Sequence, residues 1–597
     1  MPAMVEPPPY EAPDADALAV DSPFTRWLVR WRFAFFAGIA LLIVVQFNGQ
    51  WRMGLDSSLY RGLAESLAAH KGYVFAGQPQ KQAYFGLPFL MAAVHKLFGS
   101  NSVVPVLVGM NAIALAAFWA TYQLISTRYP RWIAVAVTCG VGMNIKFVQQ
   151  AQEVMTDMPF LLGCLLAMLG WEWLASESKS RRRAAWGLLP TGLALAATMR
   201  PTFWVLALAW VIACVIGIVR RREKRSMVAL AAIVAVAVAA MAVDPRVRGL
   251  NVLQGGYERE MLAIAANGIS RMAGNVPDLL GGELPETFFN EKMYPFSFGL
   301  SAVLLVGAVL VMRRQPLWGL QVLILSGVML LLSDVPRYYI MVLPTLWLGY
   351  VLTMLWLLRR APENWRDLAL FVAFSLANLP NLAGAANLFR EQHVGNFADV
   401  YRRGDLKPLV AIAAVIRDKV PEGDNVVGPH ANLLAYLSGR NVLAPRLMGL
   451  DTPQIGKHPQ LVKKFDPKYV VGSVREYDQK DPAFARILRK GVIRPVRLVA
   501  PAIEAKENGV QRMLWLATAT VEVPAGDWRQ LPKVDVHPLP EKKSNREIRA
   551  ERERKRLRQE RIEREERRQR NIRKQLKLQR QKAAATQATQ PATQAIP

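Results

Sequence analysis

Long apolar blocks dominate the pattern of hydrophobic and polar positions along the 597-residue chain. Four of the clearest lie at 33–45, 103–124, 227–243 and 339–358. A helix needs about 20 mostly apolar residues to cross a hydrocarbon core, and in lipid a helix satisfies its own backbone polar groups. The pattern therefore predicts a polytopic α-helical membrane protein.

Eleven transmembrane helices are predicted when the blocks are combined with the Lys/Arg clusters between them. The predicted spans are 33–49, 102–125, 132–149, 158–176, 184–199, 202–219, 227–243, 297–312, 317–333, 338–358 and 367–389. Because basic loops favour the cytoplasmic side, residues 1–32 are predicted to be a cytoplasmic segment ahead of an uncleaved signal anchor. The last span contains Asn378, Pro380 and Asn381. With only ten spans, everything that follows would be cytoplasmic instead.

Two shorter helices are predicted between the first and second spans, over 56–98. Leucines four residues apart give the first helix one apolar face. They are Leu55, Leu59, Leu63 and Leu67. The second helix, at 84–98, is apolar but short for a span and contains Pro88. Both are expected to lie along the extracytoplasmic membrane surface, as part of a transmembrane core at 33–390.

The chain changes character from residue 391. Helical spacing at 406–418 and strand-like runs at 425–428, 469–472 and 513–523 predict a small extracytoplasmic α/β domain over 391–530. Residues 531–597 form a basic tail. Its part at 541–582 is predicted to be a charged helix, and the last residues, mostly Ala, Thr and Gln, are predicted to be disordered.

The net charge of +28 does not predict a nucleic-acid partner, because of where the charge lies. The stretch 541–582 holds 19 Lys/Arg against 8 Asp/Glu, and much of the remaining excess lies in short loops between spans. Such charges suit membrane topology and contact with membrane lipid. Cys139, Cys164 and Cys214 fall in or beside apolar blocks and are predicted to be core residues. No metal or other cofactor is predicted.

Charged residues on the predicted outer face are the candidates for chemistry. Asp56 follows the first span and Asp157 opens the fourth; taken alone, each is better explained as a helix cap. Arg200 and Arg337 lie on this face against the positive-inside pattern. Snorkelling to head groups explains such arginines, and so does an anionic partner such as a phosphate. Lys81 lies between the two surface helices.

In this order, the motifs resemble those of the GT-C class of membrane glycosyltransferases. Within that class the chain is most similar to protein O-mannosyltransferases and to the aminoarabinose transferases that modify lipid A. Asp56 and Tyr60 match an Asp-Glu-X-X-Tyr motif, with Ser57 in place of the second acid. The other matches are Lys81 of a Lys-Pro-Pro motif, Leu97-Phe98-Gly99, Thr156-Asp157-Met158-Pro159 and Arg337-Tyr338 followed by Pro344.

The resemblance implies a transferase in a bacterial cell membrane, with its active site on the extracytoplasmic side. The donor would be a polyprenyl-phosphate-linked sugar, and the acceptor a lipid, a glycan or a protein. Asp56 would be the general base of an inverting reaction. The residues implied in substrate binding are Tyr60, Lys81, Asp157, Arg200, Arg337 and Tyr338.

A polytopic transporter or lipid flippase is the alternative function. Transporters often carry charged groups near the bilayer midplane. In this chain the charges gather at one face, beside surface helices and a long outer loop, which favours an enzyme working at the interface. A third hypothesis is a scaffold that uses the basic tail to hold anionic lipid or polymer.

Overall fold

The computed structural model gives the fold of most of the chain. It describes residues 22–75, 78–79, 84–99, 101–200, 202–243, 275–277, 279–280, 284–289, 296–332, 336–394, 406–428, 430–443, 466–473, 493–499, 503–507 and 510–521. The chain separates into two units, Met1–Pro532 and Lys533–Pro597. The second unit, with the predicted charged helix and the disordered end, lies outside the described residues.

Helices make up the first two-thirds of the chain. In order they are α1 (Pro23–Arg30), α2 (Arg32–Val44), α3 (Leu55–Ala68), α4 (Gly86–Phe98), α5 (Val104–Ser126), α6 (Arg131–Met143), α7 (Ile145–Ala151), α8 (Asp157–Leu174), α9 (Lys179–Met199), α10 (Thr202–Arg221), α11 (Lys224–Val243), α12 (Leu284–Phe289), α13 (Ser297–Arg314), α14 (Pro316–Leu332), a 3₁₀ helix (Pro336–Val342), α15 (Leu343–Leu357) and α16 (Glu363–Phe389). A short antiparallel pair, β1 (Val74–Phe75) and β2 (Gln78–Pro79), lies between α3 and α4.

Each of the eleven predicted spans coincides with a helix or with a pair of consecutive helices. Among the described residues, six helices are long and apolar enough to cross a membrane, and the bent pairs α1–α2 and α6–α7 raise the number to eight. The helices α9, α11 and α14 are not among them. The chain is therefore an integral membrane protein by its helices, and the number eleven stays a prediction. We call α2 and α5–α16 the helical bundle.

Contacts at the two ends of the bundle agree with the predicted topology. Where α2 ends, Gln46 Nε2 donates to the carbonyl of Ala385 at 3.2 Å, near the end of α16. The first and last long helices thus finish at the same end, as an odd number of spans requires. Elsewhere Glu172 accepts from Arg128 Nε at 2.6 Å and from Arg225 at 3.4 Å, two arginines that the positive-inside rule assigns to one side.

Small residues bring α8 and α9 into direct backbone contact. A Cβ at Gly163 would lie 2.8 Å from the backbone N of Ala196, and one at Gly170 would lie 2.6 Å from that of Leu189. A Cβ at Gly192 would overlap the backbone of Ala167. Such glycines let membrane helices approach closely, where van der Waals contacts hold them together. Their packing fixes the start of α8 beside the end of α9.

The third predicted span is broken at Asn144, where α6 and α7 meet at 62°. The Asn144 side chain accepts from the backbone N of Lys146 at 3.0 Å and donates to the carbonyl of Thr287 in α12 at 2.9 Å. Asn381 of α16 accepts from the backbone N of Ile145 at 3.0 Å. These side chains satisfy the backbone groups that a break exposes, which makes the break tolerable in a membrane. The sequence predicted a continuous helix at this point.

The C-terminal part of the first unit is an α/β unit, which we define as residues 406–521. Its elements are α17 (Leu406–Lys419), β3 (Asn425–Val427), α18 (Ala431–Ser438), β4 (Asn441–Leu443), β5 (Pro467–Ser473), β6 (Ile493–Leu498), β7 (Ile503–Glu507) and β8 (Val510–Val521). The sheet has the order β4-β3-β5-β8-β6, and β7 also pairs with β8. Strands β4, β3 and β5 are parallel, and β8 is antiparallel to its neighbours.

Helix α3 is shared between the bundle and the α/β unit. Leu59 and Leu63 belong to the hydrophobic core of the α/β unit, with Ile412 and Leu434 among their neighbours. Ala64, on another face of α3, belongs to the core of the bundle. The apolar face of α3, which the sequence predicted to lie on the membrane surface, is thus covered by protein. The α/β unit consequently lies at the end of the bundle that carries Asp56, which we call the Asp56 end.

Candidate functional site

An ion pair between Asp157 and Arg200 lies at the centre of the candidate site. Asp157 is the first residue of α8, and Arg200 follows the last residue of α9 with extended backbone. Arg200 Nη1 donates to Asp157 Oδ1, and both side chains are buried. A buried charge is tolerated when a partner compensates it. Each residue therefore accounts for the position of the other.

The guanidinium of Arg200 also lies over an aromatic ring. Its Cζ is 4.7 Å from the centroid of the Tyr338 ring, in the 3₁₀ helix before α15. A cation over an aromatic face is attracted by the ring quadrupole, so Arg200 is fixed from two sides. The second carboxylate oxygen of Asp157, Oδ2, is buried and accepts no hydrogen bond from the described part of the chain.

Tyr60 brings α3 to the same point. Its side chain forms a hydrogen bond with Thr156, and it interacts electrostatically with Asp56, Arg200 and Asp157. Burial, reinforced by the negative charge of Asp56, raises the pKa of Tyr60 to about 12, although Arg200 acts in the opposite direction. At neutral pH the Tyr60 hydroxyl is therefore protonated, which makes it a hydrogen-bond donor and excludes it as a base.

Asp56 lies in the first turn of α3, one turn before Tyr60. Residues four apart lie on the same face of a helix, so Asp56 and Tyr60 face the ion pair together. The N-cap position belongs to Gly54, with extended backbone, and Asp56 is the second residue of the helix. Asp56 is partly exposed, and the positive end of the helix dipole favours its charge. Asp56 is accordingly not the N-cap.

Ser57 takes the place where the resembling family has a second acid, and in this chain it is a buried structural residue. Its Oγ donates to the carbonyl of Gly54 at 3.1 Å and accepts from Trp51 Nε1 at 3.2 Å. The side chain is only 2% exposed. A carboxylate at this position would be buried and would face the carbonyl oxygen of Gly54, which repels it. Serine in place of the acid therefore fits the local packing.

The sequence missed an ion pair between the segments that lead into Asp56 and Asp157. Arg52 Nη1 lies 3.7 Å from Glu153 Oε1, and Gln150 Nε2 donates to Glu153 Oε2 at 2.9 Å. Arg52 precedes Asp56 by four residues, and Glu153 precedes Asp157 by four. Both residues lie before the helices that carry Asp56 and Asp157, so helical periodicity could not have identified the pair.

The remaining predicted residues are only partly described. Lys81 lies outside the described residues. Arg337 belongs to the 3₁₀ helix by its backbone, next to Tyr338, but its side chain is outside the description. The structure thus brings together Asp56, Tyr60, Asp157, Arg200 and Tyr338. It leaves the predicted roles of Lys81 and Arg337 as predictions.

A metal centre has no evident ligand set in the described part of the chain. No group of three or more His, Cys, Asp or Glu side chains suited to a metal ion occurs there. The three cysteines are buried and free. Metal independence stays a prediction, since much of the loop at 244–295 lies outside the description.

The sequence matches no protein-family profile and no curated protein sequence. Among solved structures, the chain is similar to the oligosaccharyltransferase of Archaeoglobus fulgidus tethered with an acceptor peptide, with 12% identity, a TM-score of 0.50, and coverage of 83% of this chain and 75% of that one. The Archaeoglobus fulgidus oligosaccharyltransferase AglB, in complex with an inhibitory peptide and a dolichol-phosphate, gives 13% identity, a TM-score of 0.49, and coverage of 85% and 76%. Apo ArnT of Cupriavidus metallidurans gives 13% identity, a TM-score of 0.47, and coverage of 82% and 98%.

At 12% identity, the similarity to the tethered oligosaccharyltransferase establishes the fold alone. It extends over most of both chains. The chain therefore has the fold of this oligosaccharyltransferase, in agreement with the fold that the GT-C resemblance of the sequence motifs implied.

Proposed function

We propose that the protein transfers a sugar from a polyprenyl-phosphate donor to an acceptor hydroxyl at the extracytoplasmic face of the membrane. The observation that carries the proposal is the convergence of three separate motifs on Arg200. Asp157 pairs with it, Tyr338 lies against its guanidinium, and Tyr60 brings Asp56 to its side. The GT-C fold and the motif resemblance support the same reaction.

Asp56 is the general base in this proposal. Its partly exposed carboxylate can be reached by an acceptor, whereas Asp157 is buried and paired. The acceptor oxygen attacks the anomeric carbon while its proton passes to a carboxylate oxygen of Asp56. The bond from that carbon to the phosphate oxygen breaks, and its electron pair leaves with the lipid phosphate. A single displacement of this kind inverts the anomeric centre.

Positive charge must stabilise the departing phosphate as its negative charge develops. The charge of Arg200 is already balanced by Asp157, so Arg200 serves to orient one phosphate oxygen by hydrogen bonding. Arg337 and Lys81 supply further positive charge, as the motif resemblance implies. Asp157 is buried and acts through Arg200, because their ion pair holds the guanidinium in place for the phosphate. The protonated hydroxyl of Tyr60 donates to the donor substrate.

Donor turnover by the purified protein in liposomes tests the proposal. The donors supplied are polyprenyl-phosphate mannose and polyprenyl-phosphate arabinose, one hexose and one pentose. A bacterial membrane extract containing lipids, glycans and proteins supplies the acceptor, and the product measured is released polyprenyl phosphate. Asp56→Asn removes the base while keeping the shape, and we expect turnover to fall by about 10²–10⁴-fold. Asp418→Asn, the same substitution at an exposed residue of the α/β unit, is the control and should leave turnover unchanged.

Equal turnover in Asp56→Asn and wild type would remove Asp56 from the mechanism. The alternative function, transport or lipid flipping, predicts a different result in the same liposomes. A labelled solute or lipid would change sides at the same rate in both proteins, and no donor would be consumed.

A further inference from the structure

The α/β unit contacts the Asp56 helix through a cluster of four side chains. They are Trp51, Arg61, Glu65 and Tyr436, which we call the Arg61 cluster. Tyr436, in α18 of the α/β unit, donates its hydroxyl proton to Glu65 Oε1 at 2.7 Å. The Tyr436 ring lies edge-on to the Trp51 ring, with centroids 5.2 Å apart. One residue of the α/β unit thus contacts both α3 and the segment that precedes it.

Arg61 binds the cluster together. Its guanidinium carbon lies 4.4 Å from the centroid of the Trp51 ring and 5.1 Å from that of Tyr436. Its Nη2 is 3.5 Å from Glu65 Oε1. Because the Arg61 side chain is only 13% exposed, these cation–π contacts and the ion pair are largely shielded from water, where both are stronger.

The Arg61 cluster acts directly on the backbone around Asp56. Trp51 donates its indole N–H to Ser57 Oγ, and Ser57 in turn donates to the carbonyl of Gly54, the N-cap of α3. Asp56 lies between Gly54 and Ser57 in the chain. Arg61 is the neighbour of Tyr60, which reaches Thr156 and the ion pair. A shift of Tyr436 would therefore move the start of α3 at Gly54 and, one turn later, Tyr60.

Apolar side chains of α3 add to the contact between this helix and the α/β unit. Leu59 is 8% exposed and Leu63 is fully buried, and both pack in the core of the α/β unit. Burial raises the pKa of Tyr436, and the hydrogen bond to Glu65 raises it further. The Tyr436 hydroxyl is consequently a donor throughout the physiological pH range.

We propose that the α/β unit is a positioning element of the active site and that Tyr436 is the positioning residue through which it fixes the Asp56 helix. This inference rests on the proposed function. It assigns the α/β unit a task in the rate of transfer, distinct from capture of the acceptor. A misplacement of about 1 Å at a reacting group can lower a rate about 100-fold, and so the contact matters for kcat.

Three variants separate positioning from general stability. Tyr436→Ala removes the ring and the hydroxyl, and Tyr436→Phe keeps the ring and loses only the bond to Glu65. Arg440→Met is the control, because Arg440 donates to the carbonyls of Val420 and Arg417 and pairs with Glu422, all within the α/β unit. It weakens the unit without touching α3.

Two measurements are made on each variant of the full chain in liposomes. Donor turnover from polyprenyl-phosphate mannose, at varied amounts of donor and of the membrane extract that supplies the acceptor, gives kcat and the KM of the donor. Hydrogen exchange gives the protection of the amides of residues 58–68. For Tyr436→Ala we expect kcat to fall roughly 10- to 100-fold, with the KM of the donor nearly unchanged and with faster hydrogen exchange in α3. Tyr436→Phe should retain most of the wild-type kcat. Arg440→Met should change neither kcat nor the hydrogen exchange of α3.

Several results would overturn the inference. Unchanged exchange in α3 of Tyr436→Ala, or faster exchange with unchanged kcat, excludes a positioning role. If Tyr436→Ala needs more of the acceptor extract for half-maximal turnover, at constant kcat, the α/β unit is an acceptor-binding module instead. If the wild type turns over no donor, the proposed function fails, and hydrogen exchange alone still decides whether Tyr436 holds α3.

Discussion

At the scale of single residues, Arg200 is the charge whose position is best explained by its neighbours. It lies at the Asp56 end of α9, far along the chain from the basic residues that open that helix. The sequence left two explanations open, snorkelling to lipid head groups and an anionic partner such as a phosphate. In the structure the partner is Asp157, and the ring of Tyr338 completes the surroundings. The buried ion pair therefore carries no net charge.

A double-mutant cycle tests the coupling of Asp157 and Arg200. Each single variant, Asp157→Asn or Arg200→Met, leaves one buried charge unpaired, and we expect each to lower the free energy of unfolding by about 3–5 kcal/mol. The double variant should lose clearly less than the sum of the two. Unfolding of the purified protein in detergent gives these values. Additive losses would show that the two residues are not partners in solution.

Tyr60 predicts a pH dependence of stability. Its pKa in the folded protein, about 12, is above the ordinary value of 10, so the folded state holds the phenol proton more tightly than the unfolded state. This contribution is complete below pH 10 and is lost as the pH rises towards 12. It amounts to at most about 2 kcal/mol, because a unit of pKa corresponds to about 1.4 kcal/mol and Tyr60 is partly exposed.

Thermal unfolding at pH 9, 10.5 and 11.5 measures this dependence. The wild type should lose stability between pH 10 and 12 more steeply than Tyr60→Phe. Tyr469→Phe, at a partly buried tyrosine of the α/β unit, controls for the general loss in alkali and should follow the wild type. Parallel curves for wild type and Tyr60→Phe would contradict the assignment.

The sequence predicted Asp56, Tyr60, Asp157 and Tyr338 from motifs, and Arg200 from its place against the positive-inside pattern. Arg52 and Glu153 have no such signal, because they pair across segments that lie 101 residues apart in the chain. The helix-capping explanation of Asp56 was reasonable by composition alone. It is wrong because the helix begins at Leu55, with Gly54 as the cap.

At the scale of elements, apolar blocks predicted where helices lie, and the structure places a helix at each. The break at Asn144 was not predictable in this way. Hydropathy averaged over a span hardly changes with one polar residue, and the partners that satisfy the break, Thr287 and Asn381, come from distant parts of the chain. The break matters for the site because α7 and the segment after it lead directly to Glu153 and Asp157.

Close packing of α8 on α9 predicts a strong dependence on one glycine. Gly192→Ala places a methyl group against the backbone of Ala167, and we expect a loss of about 1–3 kcal/mol in the free energy of unfolding. Donor turnover should fall as well, because the two helices carry Asp157 and Arg200. Gly187 of the same helix has no atom within 4 Å of an added Cβ.

Gly187→Ala is therefore the matched control for Gly192→Ala. It should be neutral or more stable by less than about 1 kcal/mol, with normal turnover. If both variants behave alike in thermal unfolding and in turnover, backbone contact between α8 and α9 does not determine the geometry of the site.

At the scale of the whole molecule, the sequence predicted a membrane core and an α/β domain but not how they join. An amphipathic helix shows the same apolar face whether lipid or protein will cover it. Leu59 and Leu63 therefore predicted a membrane-surface helix, and the structure places them in the core of the α/β unit. In the sequence, the membrane side of the α/β domain depended on whether the eleventh span exists. In the structure, the contact between the end of α2 and α16 places the end of α16 at the Asp56 end of the bundle, where the α/β unit also lies.

The shared position of α3 has a consequence for synthesis of the chain. Glu65 and Tyr436, which bond across the junction, are 371 residues apart. At about 5–20 residues per second, a ribosome needs roughly 20 to 75 seconds to make the chain between them. During that interval Leu59 and Leu63 have no partner from the α/β unit, and the membrane surface is the apolar phase within reach. The helix that carries Asp56 would then rest on lipid first and exchange lipid for protein late, so that the site is completed only near the end of translation.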